Sequence, residues 1–204
     1  MNSRLFKTLL IAVGLSAGWS ANAQNIAGSA HDFSGEAWNG SGEICLPCHT
    51  PHNALSTLVP LWNHDTSAST FTLYTSVTLD ATVGQPSAAS LACLSCHDGT
   101  VAIDSFGGNT GTTLITGGAL IGTDLSNDHP VSFTYDTALA TLDGGLHDPT
   151  TVNSGLGGTI DADLLLGSKM ECASCHDVHN AAGLNGLLRI DNAASALCLT
   201  CHDK

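Results

Sequence analysis

The amino-acid sequence predicts a mostly irregular, loop-rich fold with short helices at four repeated motifs and a few short strands. Four copies of Cys-x-x-Cys-His take up all eight cysteines of the 204-residue chain. The stretches between them are rich in Gly, Thr, Ser and Asp, which favour turns and loops. Aromatic residues make up only 5% of the chain, which is little for a protein-only core of this size. A bound apolar group is therefore expected to complete the core.

The four motifs identify that group as haem, because Cys-x-x-Cys-His is the pattern of c-type haem attachment. Two thiols form thioethers to the porphyrin, and the adjacent histidine becomes the proximal iron ligand. The attachment residues are Cys45, Cys48 and His49; Cys93, Cys96 and His97; Cys172, Cys175 and His176; and Cys198, Cys201 and His202. We expect four covalently bound haem c groups and the fold of a multihaem cytochrome c.

Two other uses of eight cysteines compete with haem. Pairs of Cys-x-x-Cys can bind zinc in an all-cysteine site, and an even cysteine count in an exported chain can form a disulfide scaffold. Neither explains why a histidine follows every pair. A β-rich domain with an Ile, Leu and Val core is the alternative to a core completed by haem.

The first residues are predicted to be a secretory signal. Arg4 and Lys7 precede the apolar segment 9–15, and Ala21-Asn-Ala23 matches a cleavage site. The apolar segment is too short to span a membrane. We expect a signal peptide at 1–23, a tetrahaem domain at 24–204, and a secreted protein located outside the cell, at its surface or in the periplasm.

Each motif follows a segment that is predicted to form one or two helical turns. Ser41, Ser87 and Asp191 are the predicted N-caps, and Ser168 with Glu171 matches a capping box before Cys172. The motifs start 48, 79 and 26 residues apart, which excludes an array of equal repeats.

Strand signals are weak and short. Alternating or β-branched residues predict strands at 70–80, 112–116 and 131–135. The glycine-rich stretch 99–167 is predicted to be loops with a small β element.

The predicted mature chain is strongly acidic, because eighteen carboxylates oppose only Lys169, Arg189 and Lys204, a formal charge of −15. This charge argues against binding of nucleic acid or anionic lipid through a basic patch. It suits basic redox partners or cationic metal acceptors, and it equally suits plain solubility.

Six histidines outside the motifs can supply a second axial ligand, and a bis-histidine tetrahaem protein needs four. The favoured ligands are His31, His52, His129 and His179, with His64 and His147 as competitors. His52 and His179 each stand three residues after a motif histidine, on the same face of a turn. Each must therefore serve another haem. Filled axial positions and few basic residues favour an electron carrier over an enzyme.

The ordered motifs resemble the OmcE-type tetrahaem cytochromes of metal-respiring bacteria, which polymerise into extracellular filaments. The resembling stretches are His31-Asp-Phe-Ser, Ile44–Asn53, Pro60–His64, Cys93–Thr100, Asn127–Pro130 and Glu171–Asn180. The resemblance implies bis-histidine haems stacked in a continuous row. It also implies a homopolymer in which a histidine of one subunit ligates a haem of the next, and His52 is the candidate for that ligand.

Three functions remain open from the sequence. The first is an extracellular electron conduit built as a filament. The second is a discrete periplasmic shuttle between redox partner proteins. The third is a multihaem reductase of a small nitrogen oxyanion, which needs an open iron position and is the least favoured.

Overall fold

The computed structural model describes residues 25–55 and 58–203, and most of these lie in turns and loops. The helices are α1 (Ala88–His97), α2 (Thr137–Asp143), α3 (Ile160–Asp163), α4 (Cys172–Cys175) and α5 (Ala196–Cys201), and β1 (Phe133–Thr134) pairs antiparallel with β2 (Lys169–Met170). Single 3-10 turns lie at Gly117–Ala119, Asn185–Leu187 and Ala193–Ser195. The predicted irregular fold is confirmed. The predicted signal peptide lies outside the described residues. No helix within 25–55 and 58–203 is long and apolar enough to cross a membrane.

Helices carry the second, third and fourth motifs, whereas the first lies in a single turn. That turn is closed by the His49 amide, which donates to the Cys45 carbonyl at 2.8 Å. Ser41 is therefore not a helix N-cap; its hydroxyl bonds the Asn39 side chain in a turn. Ser87 does stand at the N-cap of α1, as predicted.

The capping box before the third motif is shifted by three residues from its predicted position. Ser168 has a left-handed backbone (φ 59°) and leads into β2 instead of a helix. Glu171 is itself the N-cap of α4 and forms the box with Ser174. The predicted helix would have included Lys169 and Met170, but these residues form β2 and pair with β1.

The last helix also begins later than predicted. The Asp191 carboxylate accepts a hydrogen bond from the Ala193 amide at 3.2 Å, which makes a turn. Helix α5 starts only after Ser195, whose backbone is left-handed. The prediction of Asp191 as a helix N-cap is therefore wrong.

One of the three predicted strand segments contains a strand, namely β1 within 131–135. In segment 70–80, the Gln85 side chain bonds both the amide and the carbonyl of Phe71 and replaces a partner strand. In segment 112–116, the Asp104 carboxylate accepts from the amides of Thr112 and Thr113. Side chains thus occupy several backbone groups that a sheet would use, and the backbone pairing of segment 70–80 is limited to an isolated bridge between Thr72 and Asp124. The other two strand predictions are wrong.

A protein core forms within the second half of the chain, where loops were expected. Elements β1, α2, α3 and β2 contribute its buried residues, which are Phe133, Tyr135, Leu139, Ala140, Ile160, Leu164, Leu165 and Met170. Tyr135 ties the fourth motif to this core, since its hydroxyl donates to the carbonyls of His147 (2.6 Å) and Cys201 (3.2 Å). A smaller cluster contains Phe71, Leu94 and Leu125.

Candidate functional site

Backbone carbonyls orient three of the four motif histidines. The Nδ1 atoms lie 2.7–2.8 Å from carbonyl oxygens, and the pairs are His49 with Pro60, His97 with Ala119, and His176 with Gly186. A carbonyl oxygen only accepts, so Nδ1 carries the ring proton. The lone pair is then on Nε2, which is the state of a histidine ready to bind a metal.

Three motif histidines face a histidine from outside the motifs. The ring centroids are 6.0 Å apart for His97 and His31, 6.2 Å for His49 and His179, and 6.3 Å for His202 and His129. Each pair joins one motif histidine to one of the predicted second ligands. The structure thus brings together six of the eight predicted iron ligands.

The separation within these pairs fits an iron atom held between two imidazoles. A metal–nitrogen bond of about 2 Å plus about 1 Å from the nitrogen to the ring centre, counted on both sides, gives about 6 Å. The three observed separations of 6.0, 6.2 and 6.3 Å match this value. The residues present therefore fit bis-histidine haem.

His31 is in the protonation state that metal binding needs. Burial lowers the pKa of this imidazole to about 4, so the ring is neutral near pH 7. The neighbouring rings that add to the effect are His97, His176 and His179. Its Nδ1 is buried without a hydrogen-bond partner among the described residues.

The other two predicted second ligands are positioned by contacts within their own turns. His179 lies in a turn held by Asp177, which accepts from the His179 amide at 3.0 Å and lies 3.4 Å from its Nδ1. His129 has its Nδ1 2.9 Å from the carbonyl of Pro130. In both residues these contacts involve Nδ1 or the amide, and none involves Nε2.

His176 and His52 have no such counterpart. The side chain of His176 is exposed, and although it lies near enough to His31 to help lower the pKa of that ring, His31 is already paired with His97. His52 is exposed in a turn in which the Thr50 hydroxyl donates to the His52 carbonyl at 3.0 Å. Each copy of the chain therefore holds one motif histidine and one predicted ligand that are unmatched among the described residues.

The two competing histidines occupy other positions. His64 is 2% exposed, and its ring nitrogens lie 2.7 Å from the Asp65 carbonyl and 3.0 Å from the Ala102 carbonyl. A neutral imidazole donates to only one of these carbonyls, and the Cys96 thiol lies 3.5 Å from Nε2. His147 uses its amide and carbonyl to hold Cys201 and Tyr135, and no motif histidine ring among the described residues faces it.

The cysteines place the motifs next to one another in chain order. Cys48 of the first motif lies close enough to Cys96 of the second that its charge helps burial to raise the pKa of Cys96 to about 12. Cys93 of the second motif and Cys172 of the third are close enough that each shifts the pKa of the other. Cys175 of the third neighbours the cysteines of the fourth motif.

The competing uses of these cysteines are not formed in the part of the chain that the structure describes. All eight thiols are free. No group of three or more His, Cys, Asp or Glu side chains among the described residues is arranged to hold a metal ion. The thiols are thus available in pairs, as thioether attachment requires.

The burial of two indole nitrogens and of one carboxylate was not predicted from the sequence. The Nε1 atoms of Trp38 and Trp62 are buried without acceptors from the described residues, and carboxylates of a bound haem can satisfy such donors. Glu171 is 1% exposed beside the third motif. No sequence pattern distinguishes these side chains from ordinary core or surface residues.

Comparison with known proteins agrees with the motif chemistry. Residues 167–204, which hold the third and fourth motifs, match a family described as doubled CXXCH motif. The search of curated proteins found no match. The doubled motif is typical of multihaem c-type cytochromes and indicates covalent haem c binding and electron transfer.

Proposed function

We propose that this chain is a tetrahaem electron-transfer protein whose copies join head to tail into an extracellular filament. The observation that carries the proposal is the unmatched pair of histidines, His176 and His52. One copy lacks a second ligand at its third motif and carries a spare ligand after its first. Joining two copies resolves both.

Within one copy, we assign second axial ligands at three haems. His179 serves the haem of the first motif, His31 that of the second, and His129 that of the fourth. The ring separations of 6.0–6.3 Å support this assignment. When bound, haem c supplies one-electron exchange between ferric and ferrous iron. The chain's own backbone carbonyls orient the imidazoles of His49, His97 and His176.

Between copies, we assign His52 of one subunit to the haem that His176 of its neighbour holds. His52 follows the first motif, so its turn cannot reach across its own haem. Both side chains are exposed, which a contact between subunits requires. Because the donating and accepting surfaces differ, the contact is heterologous and propagates into a filament unless rotation closes it into a ring.

The neighbouring positions of successive motifs support a continuous electron path through each copy. Cysteines of the first and second, the second and third, and the third and fourth motifs lie close enough to shift one another's pKa. Electrons then pass along the row without an enzymatic reaction. The acidic surface, with a predicted formal charge of −15 before haem is counted, keeps such an assembly soluble and attracts basic partners or metal cations.

Cryo-electron microscopy of the secreted, haem-loaded protein tests the assembly. We expect filaments in which every iron has two histidines and His52 crosses the subunit boundary. His52→Met should give short or discrete particles, whereas the matched variant His147→Met should leave filaments long. Long filaments of the His52 variant contradict the proposed role.

Carbon monoxide binding separates the filament from a discrete periplasmic shuttle. Reduced His52→Met particles should bind carbon monoxide at one haem in four, because the iron held by His176 has lost its second ligand. Reduced wild-type filaments should bind none. Wild-type protein that stays discrete with four six-coordinate haems supports the shuttle instead, and wild-type binding with turnover of nitrite supports a reductase.

A further inference from the structure

The inference concerns a buried carboxylate at the junction of the second and third motifs. Helix α1, which carries the second motif, packs against α4, which carries the third. The side chain of Glu171, at the start of α4, lies between them and is 1% exposed. Burying a charged group in this way is costly unless hydrogen bonds compensate.

Serine hydroxyls from two other segments surround this carboxylate. Ser90 of α1 donates to Glu171 Oε2 in a short hydrogen bond. Ser132, just before β1, donates to the same oxygen at 2.8 Å. Ser87 reaches Oε1 at 3.5 Å. Among the described residues no lysine or arginine forms an ion pair with Glu171.

Backbone amides fix the direction of these hydrogen bonds. The Cys172 amide donates to the Ser90 hydroxyl oxygen at 3.0 Å. The Ser87 amide donates to the Ser132 hydroxyl oxygen, also at 3.0 Å. Each serine oxygen is therefore an acceptor for an amide, and its own proton is directed to Glu171. Oε2 therefore accepts from two hydroxyl groups, an arrangement that suits an ionised carboxylate.

The charge of Glu171 acts on both neighbouring attachment sites. The pKa of the Cys93 thiol is raised by its hydrogen bond to Cys172, by burial and, less strongly, by Glu171. Glu171 also opposes the lowering of the Cys172 pKa that the Cys93 bond produces. One carboxylate thus lies within electrostatic reach of a thioether position in each motif.

We propose that Glu171 is a buried, ionised carboxylate that lowers the reduction potentials of the haems at the second and third motifs. Each haem gains one electron when ferric iron becomes ferrous, and a fixed negative charge nearby disfavours that step. Glu171 is a positioning residue: it sets the electrostatic field and holds α1 against α4. The proposal rests on haem attachment at these motifs and is independent of filament assembly.

Potentiometric titration of Glu171→Gln, followed by haem absorbance, tests this role. We expect the reduction equilibria of two haems to shift at least tenfold in favour of ferrous iron, which is about 59 mV in the positive direction for one electron. Glu36→Gln removes the same charge from an exposed site and should leave all four equilibria unchanged. Unchanged potentials in a Glu171→Gln protein with four low-spin haems overturn the proposal.

Infrared spectroscopy of wild-type protein supplies a second test that needs no variant. The chain has three glutamates, Glu36, Glu43 and Glu171, so carbon-13 glutamate labels few groups. We expect labelled carboxylate bands near pH 7, one of which responds to haem reduction. A labelled protonated carboxyl band overturns the assignment. A haem count below four in wild-type protein instead defeats the tetrahaem proposal, so the two failures are distinguishable.

Discussion

Two regions of the chain, residues 25–66 and residues 131–170, differ in what stabilises them. The described residues before 67 form isolated bridges but no helix or strand. Trp62 is the one large hydrophobic side chain that is buried among them. Residues 131–170 hold two strands, two helices and a core of eight buried residues. The first region has little besides bound haem to organise it, whereas the second has apolar side chains of its own.

The strongest test of this difference removes haem from one motif at a time. Cys45→Ala with Cys48→Ala should abolish hydrogen-exchange protection across residues 25–66, because that region has few buried contacts. Protection of 131–170 should persist. The matched double variant Cys198→Ala and Cys201→Ala should leave 25–66 protected. Equal protection of 25–66 with and without the first haem contradicts the comparison.

The second largest effect is expected for a substitution in the protein core of residues 131–170. Ile160 is 0% exposed and packs within the core of α2, α3 and both strands. Ile160→Ala should lower the free energy of unfolding by about 2–5 kcal/mol in a urea titration followed by hydrogen exchange of 131–170. Val77→Ala, at an exposed site, is the control and should change it little. A loss below 1 kcal/mol for Ile160→Ala would mean that haem also dominates this region.

A smaller effect is expected at the link between the core and the fourth motif. Burial raises the pKa of the Tyr135 hydroxyl, with smaller contributions from Cys201, Asp148 and Asp143. Above the ordinary tyrosine pKa of about 10, the unfolded chain loses this proton and the folded chain keeps it, so stability falls as pH rises. Tyr135→Phe should cost about 1 kcal/mol at neutral pH and flatten the loss between pH 9 and 11. An unchanged alkaline slope in urea titrations contradicts this reading.

The smallest effect is expected at His64 in the first region. Its buried ring lies within 3.0 Å of two backbone carbonyls, to one of which it donates. His64→Gln should therefore leave four low-spin haems in the absorption spectrum, although it can lower stability. His31→Met, in the same region, should change the spectrum of one haem. A high-spin feature in the His64 variant would assign it as a ligand.

The parts that depend on local sequence were predictable. The Cys-x-x-Cys-His motifs specify their own chemistry, and Ser87 marks the start of α1. Glu171 misled the prediction, because a glutamate three residues after Ser168 satisfies the capping-box pattern. The structure instead uses that glutamate as the N-cap and pairs the preceding residues as a strand.

The parts that depend on distant partners were not predictable. The pairing of His49 with His179 joins residues that no periodicity connects. Two predicted strands are absent where the side chains of Gln85 and Asp104 accept hydrogen bonds from the amides of Phe71 and Thr112, which are distant in the chain. The serines around Glu171 come from two segments, so its burial follows from tertiary packing alone.

The pairing of the histidines sets an order of events during export. His31 precedes His97 and His129 precedes His202, so a chain emerging from its N-terminus presents those second ligands before the motifs they face. His179 follows His49 and arrives only after the third motif. Under the proposed pairing, the first haem to be attached is held by one histidine while most of the chain is still being delivered. Within one copy that iron waits longest for its second ligand, whereas the iron held by His176 waits until a neighbouring copy supplies His52.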